Sequence, residues 1–599
     1  MIRLYCMLFE LLTRHEQQRF YLVLAMITLM GLADMVGVAS ILPFLAVVGD
    51  PELIRSNTVL ASVYSQFGFT TDQGFLTFLG CAVFSIVMLG LLVKVATIYA
   101  MARFTHMRNH SISSRLLDGY LRQPYAWFLN RNSADLGRTL LSDVDRVVIE
   151  ALLPAMRIIA YGVNLLFLVL LLVLVKPWVA MITAFAVGLT YGAIFLIGRR
   201  ALARFGTSRL EANSERYLIA QEALGGIKDV KLMGLERSYV GRYAAPSLVL
   251  ARSASAGQVI AEMPRHVLEA FAFGGMIALI LVLLVTGTGN LLDVLPTLGL
   301  FAFAGLRMFP AVQQIYFGLT LMRMCAPMVE SVHRDVVRTR ANELHPDPKD
   351  DKVPLRLRNQ LELRDISYSY PEARSGSLEG LNLTIPARSS VGIVGGSGAG
   401  KTTAVDLILG LLSPESGSMV VDGTAVTSIN LRAWQMSIGY VPQQIFLVDD
   451  TISANIAFGL PATEIDHTAV ERAARVASLH DFIVKDLPDG YATHVGERGV
   501  RLSGGQRQRI GIARALYHDP DVIILDEATS ALDNLTERAV MEAVQAIGHQ
   551  KTIIIVAHRL TTVRSCDVIF MLDKGKVVAK GTFEELSRDN AAFRQMTGA

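Results

Sequence analysis

Six long apolar runs constrain the fold of this chain more than any other feature of its sequence. They lie at approximately residues 20–48, 75–102, 148–175, 177–198, 257–287 and 291–326. A helix needs about 20 residues to cross the roughly 30 Å hydrocarbon core of a bilayer, and each run is long enough. The first run is too long for the apolar region of a cleaved signal peptide and lacks an obvious small-residue cleavage site, so we expect it to stay in the protein. The sequence therefore predicts a membrane domain of six transmembrane helices.

The composition agrees with a membrane protein and excludes several other classes. Mean hydropathy is +0.41 and only 18% of the 599 residues are charged, which is too apolar for an ordinary soluble protein. The net charge of +3 gives no general electrostatic case for binding nucleic acid. The four cysteines lie far apart and form no CxxC pair: Cys6, Cys81, Cys325 and Cys566. Disulfide scaffolds and zinc sites are therefore excluded.

The second half of the chain has a different hydrophobic pattern, which predicts a second domain. From about residue 357, short β-branched runs such as VGIVG and VIILDEA alternate with helical segments. This pattern is typical of an α/β domain with a largely parallel sheet. The stretch between the halves is rich in proline and charge, as suits a solvated linker. We therefore expect a transmembrane domain at 1–340, a linker at 341–356 and an α/β domain at 357–599.

Basic residues are distributed unevenly between the loops of the membrane half. The connection at 49–74 has Arg55 as its only basic residue, whereas 104–146 and 199–255 carry many arginines. Basic loops face the cytoplasm, so both termini and the α/β domain are expected there. The two basic segments read as helical, and we expect them to continue the spans as long helices that project into the cytoplasm.

A glycine-rich segment of the α/β half matches the phosphate-binding pattern GxxxxGK[ST]. It follows the apolar strand 390–394 and precedes a helix-like run, which is the context that the pattern requires. Backbone amides of such a loop surround phosphate oxygens, Lys401 can reach the β and γ phosphates, and the Thr402 hydroxyl can ligate Mg²⁺. The nucleotide-binding residues predicted here are Gly395, Gly396, Ser397, Gly398, Ala399, Gly400, Lys401, Thr402 and Thr403. For this motif alone, the alternative is a glycine-rich turn before a helix.

Two acids end a second buried-strand pattern, Val522-Ile-Ile-Leu-Asp-Glu527. The carboxyl ends of strands in an open α/β sheet face the ligand crevice. Asp526 suits Mg²⁺ coordination, and Glu527 suits polarising the attacking water. A strand that ends in Asp-Glu is by itself more often the start of a loop, but here Leu502-Ser-Gly-Gly-Gln506 precedes it and His558 follows the next strand.

Together these motifs resemble an ATP-binding cassette, and all of them occur in that family's order. The resemblance implies that Tyr370 stacks on adenine, with Tyr368, two residues earlier on the same strand face, as the competing aromatic residue. It also implies that Gln443 contacts Mg²⁺ and the neighbouring domain, and that Asp533 lies in a loop that communicates across a dimer. His558 would contact the γ phosphate. The implied cofactors are ATP and Mg²⁺, and the implied catalytic residues are Glu527, His558 and Gln443.

The cassette also contains Ser503, Gly504, Gly505 and Gln506, which resemble the signature that caps the γ phosphate bound by a second cassette. The chain has one cassette, so the resemblance implies a head-to-tail homodimer with C2 symmetry. No motif residue is degenerate, so we expect two equivalent, competent sites. Just before the signature, Gly496-Glu-Arg-Gly499 resembles the loop by which ABC exporters contact their membrane domains.

Six spans ahead of one cassette resemble an ABC half-transporter of the exporter architecture, in which a six-helix membrane domain is fused to a cytoplasmic α/β P-loop NTPase domain. In that architecture, a short transverse helix in each cytoplasmic segment transmits nucleotide-driven closure. We expect these helices near 125–136 and 222–232. The alternative is simple solvated helices, but both segments carry apolar side chains that need a partner surface.

The outer connection at 51–67 predicts an amphipathic helix that lies at the outer membrane surface. Its apolar face comprises Leu53, Leu60, Val63, Tyr64 and Phe67. This helix, the phrase GIKDVKLMGLE and the general run of the first two spans resemble the flippases of polyprenyl-diphosphate-linked oligosaccharides. The resemblance implies ATP-driven flipping of a lipid-linked oligosaccharide from the inner to the outer leaflet of a bacterial inner membrane, in support of protein glycosylation.

Three cations fall inside the predicted spans: Lys94, Arg265 and Arg307. A charged side chain that deep in a membrane is costly and usually has a functional role. A basic cluster on a cavity wall suits a diphosphate, because arginine binds phosphate oxygens bidentately and lysine adds a point charge. We therefore expect these residues to contact the substrate head group. Two alternatives stay open, which are exposure to water at these points and ion pairs with Asp34, Glu150 or Glu269.

Other cargoes and other classes of protein make different demands on a sequence. A peptide or toxin exporter of this architecture often carries a cysteine-protease domain ahead of the first span, and we expect none here. A repair or translation ATPase of the same superfamily would lack the membrane half. Export of another lipid, a drug or a peptide by the same ATP-driven mechanism is the alternative function.

Overall fold

The computed structural model describes the chain in two compact units. The described residues are 1–49, 51–175, 177–286, 291–341, 353–370, 376–527, 537, 541–543, 550–557 and 560–597, without the side chains of 270–307 and a few others. The first unit comprises Met1–Gln123 and Arg131–Leu344. The second unit comprises Pro124–Asn130 and His345–Ala599.

The described residues of the first unit form helices joined by short turns. Its α-helices are Ile2–Glu10, Arg14–Gly49, Leu53–Ser56, Thr58–Gln66, Asp72–Leu121, Ser133–Arg138, Val144–Val147, Leu153–Val175, Pro177–Gly225, Ile227–Leu232, Glu236–Thr286 and Leu291–Ala341. Two π-helical turns, Thr139–Asp143 and Val148–Leu152, make the path from 133 to 175 continuous.

Long helices occupy all six predicted apolar runs. Among the residues searched, three stretches are long and apolar enough to cross a membrane: Arg14–Gly49, Asp72–Leu121 and Ser133–Val175. The other three runs fall on the helices Pro177–Gly225, Glu236–Thr286 and Leu291–Ala341. Several of these helices run well beyond the apolar stretch, so the expectation that the basic segments continue the spans as helices is confirmed.

Helices of the first unit pack closely through apolar side chains and small residues. Ile27, Phe104 and Met156 come from three different long helices and are buried in one apolar cluster. At Gly206, a Cβ atom would lie 2.3 Å from the carbonyl oxygen of Met324. Only glycine allows the backbones of Pro177–Gly225 and Leu291–Ala341 to approach so closely.

The outer connection differs from the single helix predicted at 51–67. It forms two short helices, because Asn57 caps the second one by accepting hydrogen bonds from the N–H groups of Val59 and Leu60. Most of the predicted apolar face packs on the protein itself, in a cluster formed by Val47, Ile54, Leu60, Val63, Tyr64 and Phe75. Phe67 stays 62% exposed.

Each segment predicted to hold a transverse helix contains a short helix, and both helices are shorter than expected. The first is Tyr125–Leu129, and the predicted segment 125–136 breaks there because Asn132 caps a new helix at Ser133–Arg138. It belongs to the second unit, where Ala126 packs against an apolar core. The other transverse helix is Ile227–Leu232, whose Val230 is buried.

Within its described residues, the second unit contains two β-sheets. Its strands are β1 (Gln360–Tyr368), β2 (Leu378–Pro386), β3 (Ser390–Gly395), β4 (Ser416–Val421), β5 (Thr424–Ala425), β6 (Ile438–Val441), β7 (Val522–Asp526), β8 (Thr552–Val556), β9 (Val568–Asp573) and β10 (Lys576–Gly581). The larger sheet has the order β10-β9-β3-β8-β7-β6, and only its β9–β10 pair is antiparallel. The predicted parallel sheet is therefore confirmed.

The smaller sheet has the order β2-β1-β4-β5 and is antiparallel. It was not predicted, because its strands alternate buried and exposed residues and lack the continuous apolar runs of buried parallel strands. The helices of the second unit are Tyr125–Leu129, Lys401–Ile408, Leu431–Gln435, Ile452–Ile456, His467–Val476, His480–Asp486, Gly504–Leu516, Phe583–Asp589 and Ala591–Thr597, with short 3₁₀ turns between them.

Residues just before 357 pack with the second unit. Residues 342–352 of the predicted linker lie outside the described residues. Leu355 already joins the fold, because its N–H donates to the carbonyl oxygen of Ala433 at 2.9 Å and its own carbonyl accepts from Ser437. Leu355, which falls in the predicted linker, is thus held by hydrogen bonds to the second unit.

Candidate nucleotide site

The glycine-rich loop lies where its sequence predicts, between β3 and the helix Lys401–Ile408. Two glycines are required by its geometry. A Cβ atom on Gly395 would lie 2.3 Å from the carbonyl oxygen of Leu572, and Gly400 has a φ of +97°, which favours glycine. The loop therefore turns tightly at the amino end of a helix, where backbone N–H groups favour phosphate.

Lys401 is held inside this loop. Its Nζ donates to the carbonyl oxygens of Gly395 at 2.8 Å and Gly396 at 2.9 Å. Burial lowers the pKa of Lys401, and the negative charges of Glu527 and Asp526 oppose that shift. The structure thus brings the loop lysine and both strand-end acids into one electrostatic environment.

The two acids lie at the carboxyl end of β7 and are contacted by residues at the end of β6. Gln443 Nε2 donates to Oε2 of Glu527 at 2.7 Å. The hydroxyl of Tyr440 lies 3.4 Å from Oδ2 of Asp526. Glu527 has a φ of +49°, which is unusual for a residue with a side chain. Gln443 and Glu527, predicted from separate motifs, are therefore direct partners.

The oxygen atoms available at this site fit a magnesium ion. Mg²⁺ prefers hard oxygen ligands and is usually held by one or two carboxylates together with substrate phosphates. Asp526 supplies a carboxylate, Thr402 an exposed hydroxyl at the start of the helix, and Gln443 an amide oxygen. In the residues searched for metal clusters, no group of three or more His, Cys, Asp or Glu side chains occurs, and a site of this type needs none.

Two residues near the acids were not predicted. Asp406 lies on the helix after the loop and is 9% exposed; burial and the charge of Asp526 raise its pKa to about 6. Burial and the same carboxylates raise the pKa of Tyr440, which keeps its phenol protonated. The available signal for Asp406 was an acid inside the otherwise apolar helical run Ala404-Val-Asp-Leu-Ile408.

The structure separates the two candidate adenine-stacking tyrosines. Tyr368 is the last residue of β1 and is 6% exposed, within the core. Tyr370 lies beyond the strand, is half-buried and places its hydroxyl 3.2 Å from Oγ1 of Thr403. The expectation that both lie on one strand face is wrong, because β1 ends at Tyr368. Tyr370 is the more accessible ring beside the loop.

The signature residues form the start of the helix Gly504–Leu516. Ser503 caps this helix: its Oγ accepts from the Gln506 N–H at 3.2 Å, and Oε1 of Gln506 accepts from the Ser503 N–H at 2.7 Å. Gly504 and Gly505 occupy the first helical turn. Ser503 is exposed, so the positive end of the helix faces outward.

Three predicted residues cannot be placed in this way. His558 and Asp533 lie outside the described residues. Arg307 lies on the helix Leu291–Ala341, but its side chain is outside the description.

The other two predicted substrate contacts are engaged in ion pairs. Lys94 Nζ lies 3.8 Å from Oδ2 of Asp34, which also accepts from Nδ2 of Asn164 at 2.9 Å. Arg265 Nε donates to Oε1 of Glu269 at 2.8 Å. The alternative of ion pairs therefore holds for these two residues, as expected for cations in apolar spans, which need anionic partners. Their contact with the substrate head group stays a prediction.

Comparison with known families finds the same two-part organisation. Residues 38–308 match the family model described as the ABC transporter transmembrane region. Residues 378–530 match the family model described as ABC transporter.

Two similar proteins are named ATP-dependent lipid A-core flippase. The one from Ralstonia nicotianae is 30% identical over 513 residues, which cover 83% of this chain and 84% of that protein. The one from Cupriavidus pinatubonensis is 35% identical over 383 residues, which cover 64% of this chain and 63% of that protein, slightly less than two thirds of its length.

Among solved structures, that of a bacterial Atm1-family ABC exporter with ATP bound is similar over 97% of this chain and 98% of its own, with a TM-score of 0.73. At 22% sequence identity this likeness shows the fold alone.

Proposed function

The chain belongs to the ABC transporters and is an ATP-driven exporter, and from that premise we propose that it flips a lipid-linked oligosaccharide across a bacterial inner membrane. ATP hydrolysis is coupled to transport in this protein. The finer parts of the proposal are the cargo, the membrane, the homodimer and the roles of individual residues.

For ATP hydrolysis, we assign the base to Glu527 and the metal contacts to Thr402, Gln443 and Asp526. The 2.7 Å bond from Gln443 to Glu527 supports this, because it orients the carboxylate that would take the proton of the attacking water. Mg²⁺, when bound, neutralises charge on the β and γ phosphates. We assign His558 to the γ phosphate and Asp533 to contacts across the dimer.

The homodimer is supported by the single cassette and by the exposed signature. Ser503 is exposed and caps the amino end of its helix, an arrangement that favours a phosphate brought by a second copy of the chain. On the transverse helix Ile227–Leu232, Leu232 is 79% exposed, which also favours a partner surface.

The proposal of a lipid cargo rests above all on the outer connection between the first two spans. Beside its packed core, Val59 and Phe67 stay exposed on the segment that joins the first two spans, as suits contact with an acyl or polyprenyl chain. Two relatives named for lipid flipping support a lipid as the class of cargo.

We also propose that Lys94, Arg265 and Arg307 contact the diphosphate. For Lys94 and Arg265, the head group would compete with Asp34 and Glu269 for the cation. Neutralising all three cations is expected to abolish transport of a diphosphate lipid and to leave basal ATP hydrolysis largely intact, because they lie in the predicted spans. Equal transport by the triple variant would return these residues to a structural role.

The proposal is tested by ATPase stimulation in nanodiscs. A polyprenyl-diphosphate oligosaccharide is expected to stimulate hydrolysis, whereas drugs and peptides are not. Stimulation by a drug, a peptide or another lipid, with none by the diphosphate lipid, would contradict the cargo and favour the alternative exporter function.

A further inference from the structure

One short segment, residues 440–443, contacts both acids of the nucleotide site. At one end Gln443 donates to Glu527 at 2.7 Å, and at the other the Tyr440 hydroxyl lies 3.4 Å from Oδ2 of Asp526. The second contact is long for an O–H···O hydrogen bond. An ionised carboxylate only accepts, so the phenol is the donor. The end of β6 and the two residues after it therefore link both acids.

The register of the parallel sheet explains why Tyr440 reaches Asp526. Tyr440 of β6 is opposite Ile524 of β7. Side chains alternate between faces along a strand, so Ile524 and Asp526 point to the same face as Tyr440. On that face the ring of Tyr440 is half-buried against the apolar core that also contains Ile524. Packing thus holds the ring and limits where its hydroxyl can go.

Other groups face the phenol without taking its hydrogen bond. Asp406, on the helix after the phosphate-binding loop, and Tyr125, on the first transverse helix, are its other electrostatic neighbours. The hydrogen bond goes to Asp526. Tyr440 thus lies where a residue of β6 can bias the orientation of one carboxylate.

We propose that Tyr440 is a positioning residue for Asp526: its hydroxyl fixes the orientation of the carboxylate and thereby raises the affinity of the site for Mg²⁺. This inference rests on the proposed function, in which Asp526 is a ligand of the metal. Groups that hydrogen-bond to a metal ligand orient it, and loss of one typically costs about 10- to 100-fold in metal affinity. The same loss is expected when the Tyr440 hydroxyl is removed.

The test measures Mn²⁺ binding by electron paramagnetic resonance, in full-length protein with saturating ATP. Glu527→Gln is present throughout so that ATP is not consumed. Tyr440→Phe keeps the ring and removes the hydroxyl. Its matched control is Tyr517→Phe, which removes a hydroxyl that accepts from the Asp466 N–H at 3.0 Å in the same unit. Mn²⁺ affinity is expected to fall about tenfold or more in Tyr440→Phe and to stay unchanged in the control. ATP affinity in EDTA should not change.

Several results would overturn the inference. One is a Mn²⁺ affinity of Tyr440→Phe that stays within about twofold of its parent. Loss of a hydrogen bond that orients a metal ligand is expected to cost about tenfold or more. An equal loss in Tyr517→Phe, or a loss of ATP affinity in EDTA, would also overturn it, because the effect would then be general. Asp526→Asn separates the assignment of Asp526 as a metal ligand from the positioning role of Tyr440. If it weakens Mn²⁺ binding and Tyr440→Phe does not, only this inference fails; if it leaves Mn²⁺ binding unchanged, the metal assignment fails as well.

Discussion

Replacing Glu527 by Gln is expected to remove the carboxylate that we propose as the base and to leave the surrounding geometry almost intact. Gln443 donates to Oε2 of Glu527 at 2.7 Å, and the side-chain oxygen of a glutamine can accept the same bond. Lys401 keeps its bonds to Gly395 and Gly396, so ATP binding is expected to persist. A general base contributes about 10²–10⁴-fold to rate, which is about 2.7–5.4 kcal/mol at about 1.36 kcal/mol per tenfold. ATP turnover is expected to fall by that factor, with ATP trapped in a closed dimer.

The assay compares phosphate release and equilibrium ATP binding in the same purified protein. Glu464→Gln is the matched control, because it removes an exposed carboxylate elsewhere in the second unit. Turnover of Glu527→Gln near that of the parent would refute the assignment of the base. Loss of ATP binding in this variant would refute the argument that the geometry survives.

A mixed dimer with Lys401→Ala on one protomer and Ser503→Arg on the other should keep one intact site and measurable ATPase activity, whereas both changes on one chain should leave none; the opposite pattern contradicts head-to-tail pairing. Trp434→Phe should lower the thermal unfolding temperature, because the buried indole donates to the Ile408 carbonyl at 2.7 Å and an orphaned carbonyl costs about 1–3 kcal/mol; an unchanged temperature contradicts it. Burial raises the pKa of Asp406 to about 6. Ionised Asp406 therefore destabilises the fold above that pH, and below about pH 4 the group is protonated whether the protein is folded or unfolded. Asp406→Asn should thus stabilise the protein at pH 7.5 but not at pH 4, and equal gains in stability at both pH values would contradict this reasoning.

Local motifs made much of the nucleotide site predictable. The loop from Gly395 to Thr402 was predictable because its glycines allow the tight turn between a strand and a helix. That conformation is set by residues close together in the sequence. The buried apolar strand β7 likewise placed Asp526 and Glu527 at the carboxyl end of the parallel sheet. The pairing of Gln443 with Glu527 was not itself predicted, but follows once β6 and β7 are adjacent.

Features that depend on distant residues were less predictable. The pairing of Lys94 with Asp34 needs two long helices in register and a third that supplies Asn164, so the sequence could only offer it as one of several alternatives. The break at Asn57 reflects competition between continuing a helix and capping a new one. The role of Tyr440 requires the register of two strands far apart in the chain.

The proposal that ATP hydrolysis drives a lipid-linked oligosaccharide across the bilayer can be tested by measuring flipping in proteoliposomes. Fluorescent polyprenyl-diphosphate oligosaccharide is incorporated into both leaflets, and its accessibility to an external glycosidase is followed after ATP is added. We expect an ATP-dependent loss of accessibility for protein whose nucleotide-binding units face outward, and no change with Glu527→Gln. Unchanged accessibility with wild-type protein that hydrolyses ATP and moves a different lipid would contradict the proposed cargo.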